Sequence, residues 1–215
     1  MDNFFKKLRS LQPEIDYQAL MAEMKTFSHP RRKLKELQNK NVLIRLKKGF
    51  YIFSTEFFGK IYSTEIVANL LYGPSYISLE SALSYYELIP ERVEVTTSVT
   101  SQKNKKFSTQ IGVFSYVHIS EKLYHLGVTR QQSNDGRYFL IATPEKALLD
   151  YFILNFSNSD KPNKDDVIKA VNEDLRIEES ILRKIISRER IIGLKESYKN
   201  RRWCSLLLDY MEEII

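Results

Sequence analysis

Arg31, Arg32, Lys33 and Lys35 crowd one short segment, and Arg45, Lys47 and Lys48 follow in the next. Cations at this density suit phosphate. Lysine neutralises it as a point charge, whereas arginine also reads a guanine edge through two parallel hydrogen bonds. The residues that carry them, 27–53 (FSHPRRKLKELQNKNVLIRLKKGFYIF), read as a basic helix and then a basic hairpin. Pro30 suits the first turn of a helix, where a missing N–H costs nothing, and Leu34 and Leu37 give that helix an inward face. Gly49 supplies the positive φ that a tight hairpin turn requires between 42–46 and 50–53. Helix followed by hairpin, both cationic, is the ground plan of a winged helix-turn-helix, in which the helix N-terminus enters the major groove and the wing touches the backbone. On that plan Arg31 and Arg32 serve specificity, and Lys47 and Lys48 serve affinity.

The rest of the chain is charged differently. Residues 1–53 hold 12 Lys and Arg against 5 Asp and Glu, a net of +7, while residues 54–215 hold 21 against 22, a net of −1. Duplex DNA rewards such concentration, since each neutralised phosphate releases condensed counterions. The competing account of a charge run is a solvated face. With 43% hydrophobic residues, 13 Tyr and 12 Phe, the 215 residues suffice for a real core in one or two domains. No signal peptide or membrane-length apolar run is visible, and a single cysteine, Cys204, fits a reducing cytoplasm.

Elements to position these cations follow from apolar spacing. Helices over 4–11 and 16–26 precede the basic helix, with Phe5, Leu8, Leu20, Leu34, Leu37 and Ile44 as a small core. A boundary falls near Ser54. Beyond it a helix is expected over 61–71, with Ile66, Leu70 and Ile61 inward, and Ser78 is expected to N-cap a helix over 79–88. Strand-like runs follow at 93–100, 106–110, 112–119 and 138–142, with a turn at Asn134-Asp135-Gly136. Thr143 and Pro144 open a helix reaching residue 156, with Glu145 at its positive end. After a polar turn at 157–160 the chain reads as helical, over 165–172, 180–192 and 201–215. The fold class is therefore α+β: an N-terminal winged helix-turn-helix (1–54), then a mixed α/β domain (55–215) with a helical C-terminal end.

Four blocks in order, LIRLKKGFYIF, GPSYISLESALSYYELIPE, VTTSVTSQKNKKFSTQIGVFSYVHI and IATPEKALLDYF, resemble the AbiEi family of bacterial antitoxins and transcriptional regulators. The resemblance covers roughly residues 1–155 and, more loosely, the remainder. It implies a winged helix that binds inverted repeats of double-stranded DNA in its own promoter. It also implies an antitoxin domain that neutralises a nucleotidyltransferase-like toxin, as in type IV systems, without a stable complex. Ser78, Glu80, Ser81, Thr143, Pro144, Glu145 and Lys146 belong to the antitoxin-domain blocks. The first two helices differ from the short, regular module expected of the family, so groove geometry does not transfer.

Other chemistry is weakly supported. Ser78 or Ser81 as a nucleophile competes with a plain N-capped helix, and no His or Lys base stands close in sequence. Within the family picture Glu80 and Lys146 are candidates for a surface role. His29, His118, His125 and Cys204 lack metal-ligand spacing, and no phosphate-binding glycine loop occurs, so no cofactor is expected. Lys103, Lys105 and Lys106 form a second basic turn, read by default as a solubility feature, with nucleic acid or an acidic partner as the minority reading. The alternatives to an antitoxin are a regulator whose C-terminal domain senses a ligand or mediates oligomers, and an enzyme that modifies the toxin.

Overall fold

Leu8, Leu20, Met24, Leu34 and Leu37 are buried together in one small apolar cluster, which draws three short helices around a sheet. In the computed structural model, which describes residues 3–59, 61–157 and 161–215, this first unit runs α1 (Asn3–Arg9), β1 (Glu14–Asp16), α2 (Tyr17–Glu23), α3 (Pro30–Asn39), β2 (Leu43–Lys47) and β3 (Phe50–Phe53). The Asp16 carboxylate starts α2 by accepting the Ala19 N–H at 2.8 Å. Pro30 occupies the first turn of α3, as its fixed φ favours. The strands pair antiparallel in the order β1-β3-β2, and Gly49, at φ +82°, closes the β2–β3 turn. Strand β1 falls where the sequence suggested loop and helix; three residues are too few to show alternation.

Side-chain alternation splits this sheet between two cores. Leu43, Tyr51 and Phe53 face the small cluster. Leu46, Phe50 and Ile52 are buried in the larger core formed by the rest of the chain, and Ile44 packs against that larger core rather than the small one expected for it.

Next comes α4 (Thr55–Phe58), whose Phe57 and Phe58 pack against the small cluster of the first unit. The second unit then runs α5 (Thr64–Leu71), β4 (Ser75–Ile77), α6 (Leu79–Tyr85), β5 (Val95–Thr100), β6 (Lys105–Thr109), β7 (Gly112–His118) and α7 (Glu121–Tyr124). Then come β8 (Val128–Gln132), β9 (Tyr138–Ala142) and α8 (Pro144–Asn155). The helical end is α9 (Lys164–Lys169), passing into a π-helical turn over Ala170–Asp174, then α10 (Glu179–Ile185), α11 (Arg188–Tyr198) and α12 (Arg202–Glu213). The strands make a mixed sheet in the order β6-β7-β5-β4-β9-β8, with β5–β7 and β4–β9 parallel. Tyr116 on β7 donates to Ala68 O of α5 (2.7 Å), and Tyr76 on β4 donates to Asp150 of α8 (3.0 Å). Their register places them on opposite faces, so the sheet lies between α5 on one side and α8 on the other.

Three expectations need correction. Ser63 caps α5 by accepting the Ile66 N–H, so the helix starts after Ile61, which is 85% exposed. Its buried side is Ile66, Val67, Ala68 and Leu71, while Leu70 is 51% exposed. The helix expected over 180–192 is two helices, broken at the extended Ile186. Strand β8 was not foreseen, because VTRQQ lacks an apolar alternation. Residues 158–160, part of the expected polar turn, lie outside the described residues. The chain is thus a mixed α+β protein, and among the described residues no helix is long and apolar enough to cross a membrane.

Candidate functional site

Helix α3 presents two chemically different faces. Leu34 and Leu37 are buried, whereas Arg31, Arg32 and Lys35 are exposed along the opposite side, with Ser28 and Asn39 continuing the stripe at helical spacing. His29 caps the helix without a side-chain hydrogen bond, leaving the first-turn N–H groups open to an anion. A concavity of about 630 Å³ between α2 and this helix start is lined by Tyr17, Met21, His29, Arg31 and Arg32.

The seven expected DNA-contacting cations do not share one situation. Among the described residues Arg31, Arg32, Lys35 and Lys48 form neither an ion pair nor a side-chain hydrogen bond, and all four are exposed. Arg45 is exposed too, with its Nε donating to Lys47 O at 3.3 Å. Lys33 is engaged: it pairs with Glu36 at 3.1 Å and lies over the rings of Phe5 and Phe27. Hydrogen bonds from Lys40 and Lys33 hold the Glu36 carboxyl below its ordinary pKa. Lys47 is engaged as well, its Nζ donating to Leu71 O at 2.6 Å across the two units. On α1, Lys7 pairs with Glu23 at 2.6 Å, and Arg9 donates to Phe57 O at 2.9 Å.

The segments around Ser78 and Lys146 converge on a different kind of site. The Lys146 ammonium donates to Asp150 Oδ1 at 2.5 Å and to the Tyr198 hydroxyl at 2.9 Å. Asp150 Oδ2 accepts from Tyr76 (3.0 Å) and Ser78 (2.8 Å). All five residues have no solvent exposure. Helix α8 is apolar nearly all round, so its i, i+4 Lys–Asp pair is carried inward and must be satisfied there. Burial raises the Asp150 pKa, opposed by Lys146, Ser78 and Tyr76, and burial likewise raises the Tyr76 and Tyr198 hydroxyls. Gly127 fits closely against this cluster: at φ +61°, a Cβ there would stand 2.7 Å from Lys146 Cβ.

Two expectations change here. Ser78 occupies the N-cap position of α6, but its hydroxyl serves Asp150 rather than the helix. Lys146 belongs to the interior and has no surface role. Glu145 is also buried: its carboxylate accepts the Ser187 N–H at 2.7 Å and Arg190 Nε at 3.0 Å, which fixes the break between α10 and α11. Thr143 Oγ caps α8 at 3.4 Å from Lys146 N, beside the buried Pro144. Ser81 exchanges hydrogen bonds with Val95 O and Thr97 N across the strand edge, and Glu80 lines a partly acidic groove with Glu91, Glu94 and Asp174. The i, i+4 spacing of Lys146 and Asp150 in an apolar helix was a readable signal; Tyr198 gave none. Cys204 is buried on α12 beside Leu149 O, and burial pushes its thiol up to about 12. Among the described residues no group of His, Cys, Asp or Glu is arranged to hold a metal ion. Compared with models of protein families and with curated proteins, the chain matches none.

Proposed function

We propose that the chain is a DNA-binding autorepressor whose first unit is a winged helix-turn-helix. The observation that carries this reading is the pairing of an uncommitted cationic α3 face with an uncommitted Lys48 at the β2–β3 turn, on a helix–strand–helix–helix–hairpin order. Arg31 and Arg32 enter the major groove and read bases, Lys35 follows the same groove, and Lys48 and Arg45 hold phosphate. Lys33 and Lys47 have partners of their own and contribute less. Bound at operator repeats, the protein blocks polymerase sterically.

The second unit is, on this reading, the antitoxin domain that the resemblance to AbiEi proteins implies, directed at a nucleotidyltransferase-like toxin without a stable complex. Supporting it, the blocks around Ser78 and Lys146 meet in one buried cluster, as expected of segments that define a domain rather than a reaction centre. The experiment is a salt series of binding to the DNA upstream of the gene, with wild type beside Arg31→Ala/Arg32→Ala. Wild type should bind tightly, with a log–log salt slope of about −5 for about six phosphates. The double variant should lose the preference over random duplex, about 1–3 kcal/mol per guanine contact. No preference in wild type would remove autoregulation. Rescue of cells from a toxin encoded beside the gene separates the antitoxin from a regulator without one.

A further inference from the structure

Lys103, Lys105 and Lys106 belong to the second unit, yet the fold carries them to the basic hairpin of the first. Strand β6 lies against β2. Two hydrogen bonds tie both segments to consecutive residues at the end of α5: Lys47 Nζ donates to Leu71 O at 2.6 Å, and the Tyr72 hydroxyl donates to Lys103 O at 3.2 Å. Tyr72 also packs against Phe107 and Tyr116, with ring centres 6.0 and 5.2 Å away, and Lys105 Nζ lies 5.8 Å from the Phe107 ring. All three lysines are exposed, and among the described residues none forms an ion pair. Residues 95–120, which contain them, include no Asp or Glu.

We propose that these three lysines extend the duplex-binding surface, so that the second unit grips the phosphate backbone beside the hairpin and DNA is held by both units at once. The inference rests on the DNA-binding reading above. The same sign of charge continues from Arg45 and Lys48 into this turn. The residues are lysines without a paired acceptor, which suits point-charge contact with phosphate and not base reading. Burial of Leu46, Phe50 and Ile52 of the hairpin in the larger core, together with the Lys47 bond, fixes the two patches relative to each other before DNA arrives, so little ordering is lost on binding.

The test compares full-length wild type with Lys103→Gln/Lys105→Gln/Lys106→Gln and with the corresponding triple Arg variant. Each is titrated with upstream duplex and with random duplex of equal length over a salt series. The Gln variant should lose roughly tenfold or more in affinity at low salt, equally for both duplexes, with the slope reduced by about two to three. The Arg variant should keep the wild-type slope. If the Gln variant binds as wild type does while Arg31→Ala/Arg32→Ala loses preference, the extension falls and the DNA-binding reading stands. Equal weakening in the Gln and Arg variants would also overturn the extension, since charge would not be the cause. Failure of wild type to bind either duplex overturns both.

Discussion

Lys35 and Lys146 are both helical lysines, and they end in opposite surroundings. In α3 the apolar residues occupy one side, so Lys35 points to water, with no partner among the described residues. In α8 apolar residues lie nearly all round, so Lys146 enters the core, where Asp150 and Tyr198 replace its hydration. The lesson concerns what a charge is for. A solvated cation keeps its charge available to a partner outside the molecule. A dry one is used up inside, where breaking its pair leaves an uncompensated buried ion.

The sharpest way to break the contrast is Lys146→Met. Leaving Asp150 buried and unpaired should cost about 3–5 kcal/mol in chemical denaturation, whereas Lys35→Met should change stability by less than about 0.5 kcal/mol. Adding Asp150→Asn to Lys146→Met should recover part of the loss, because the amide oxygen still accepts from Tyr76 or Ser78. A Lys146→Met protein as stable as wild type would show that the buried pair holds nothing together. Gly127→Ala comes next: the added methyl meets Lys146 at a backbone conformation that L side chains avoid, and melting should register a loss of about 1–3 kcal/mol. The smallest effect belongs to the cross-unit link in which Arg137 bonds Glu14 (2.6 Å) and Asp135 (2.6 Å). Desolvation acts to raise the Asp135 carboxyl, but hydrogen bonds from Arg137 outweigh it and hold the pKa below its ordinary 3.8. A depressed carboxylate pKa adds stability that is complete above the unfolded value and is lost as pH falls through the folded one. Asp135→Asn should therefore cost a few tenths of a kcal/mol at pH 7, roughly the worth of an exposed pair, and the difference from wild type should vanish once pH has fallen through the lowered Asp135 value. A difference that persists there would assign the effect to packing.

Local chemistry made part of this fold legible. Gly49 marked the hairpin, Pro30 and the Thr143–Pro144 pair marked helix starts, and Asn134-Asp135-Gly136 marked the β8–β9 turn. Each is a signal contained within a few residues. Partnerships across the chain left no such trace. Ser78 reads as a cap until Asp150, far along the sequence, takes its hydroxyl. Glu145 reads as a helix-dipole residue until Ser187 and Arg190 arrive to break a helix that periodicity had made continuous. The dual allegiance of β2 and β3 was hidden for the same reason: alternation shows that both faces are apolar, not which core each one meets. At the candidate interface the cations were visible in the sequence, and their sorting into free and engaged was not, since Lys47 is occupied by a carbonyl on α5.

Cys204 has a consequence of its own. It is the chain's one thiol, closed off beneath α12 against α8 and held in its protonated, unreactive form by burial. A thiol-directed reagent finds no target until that helix lifts, so the labelling rate counts openings of the C-terminal layer. Set against the rate of global unfolding, it reveals whether the layer detaches alone or only when the whole molecule comes apart.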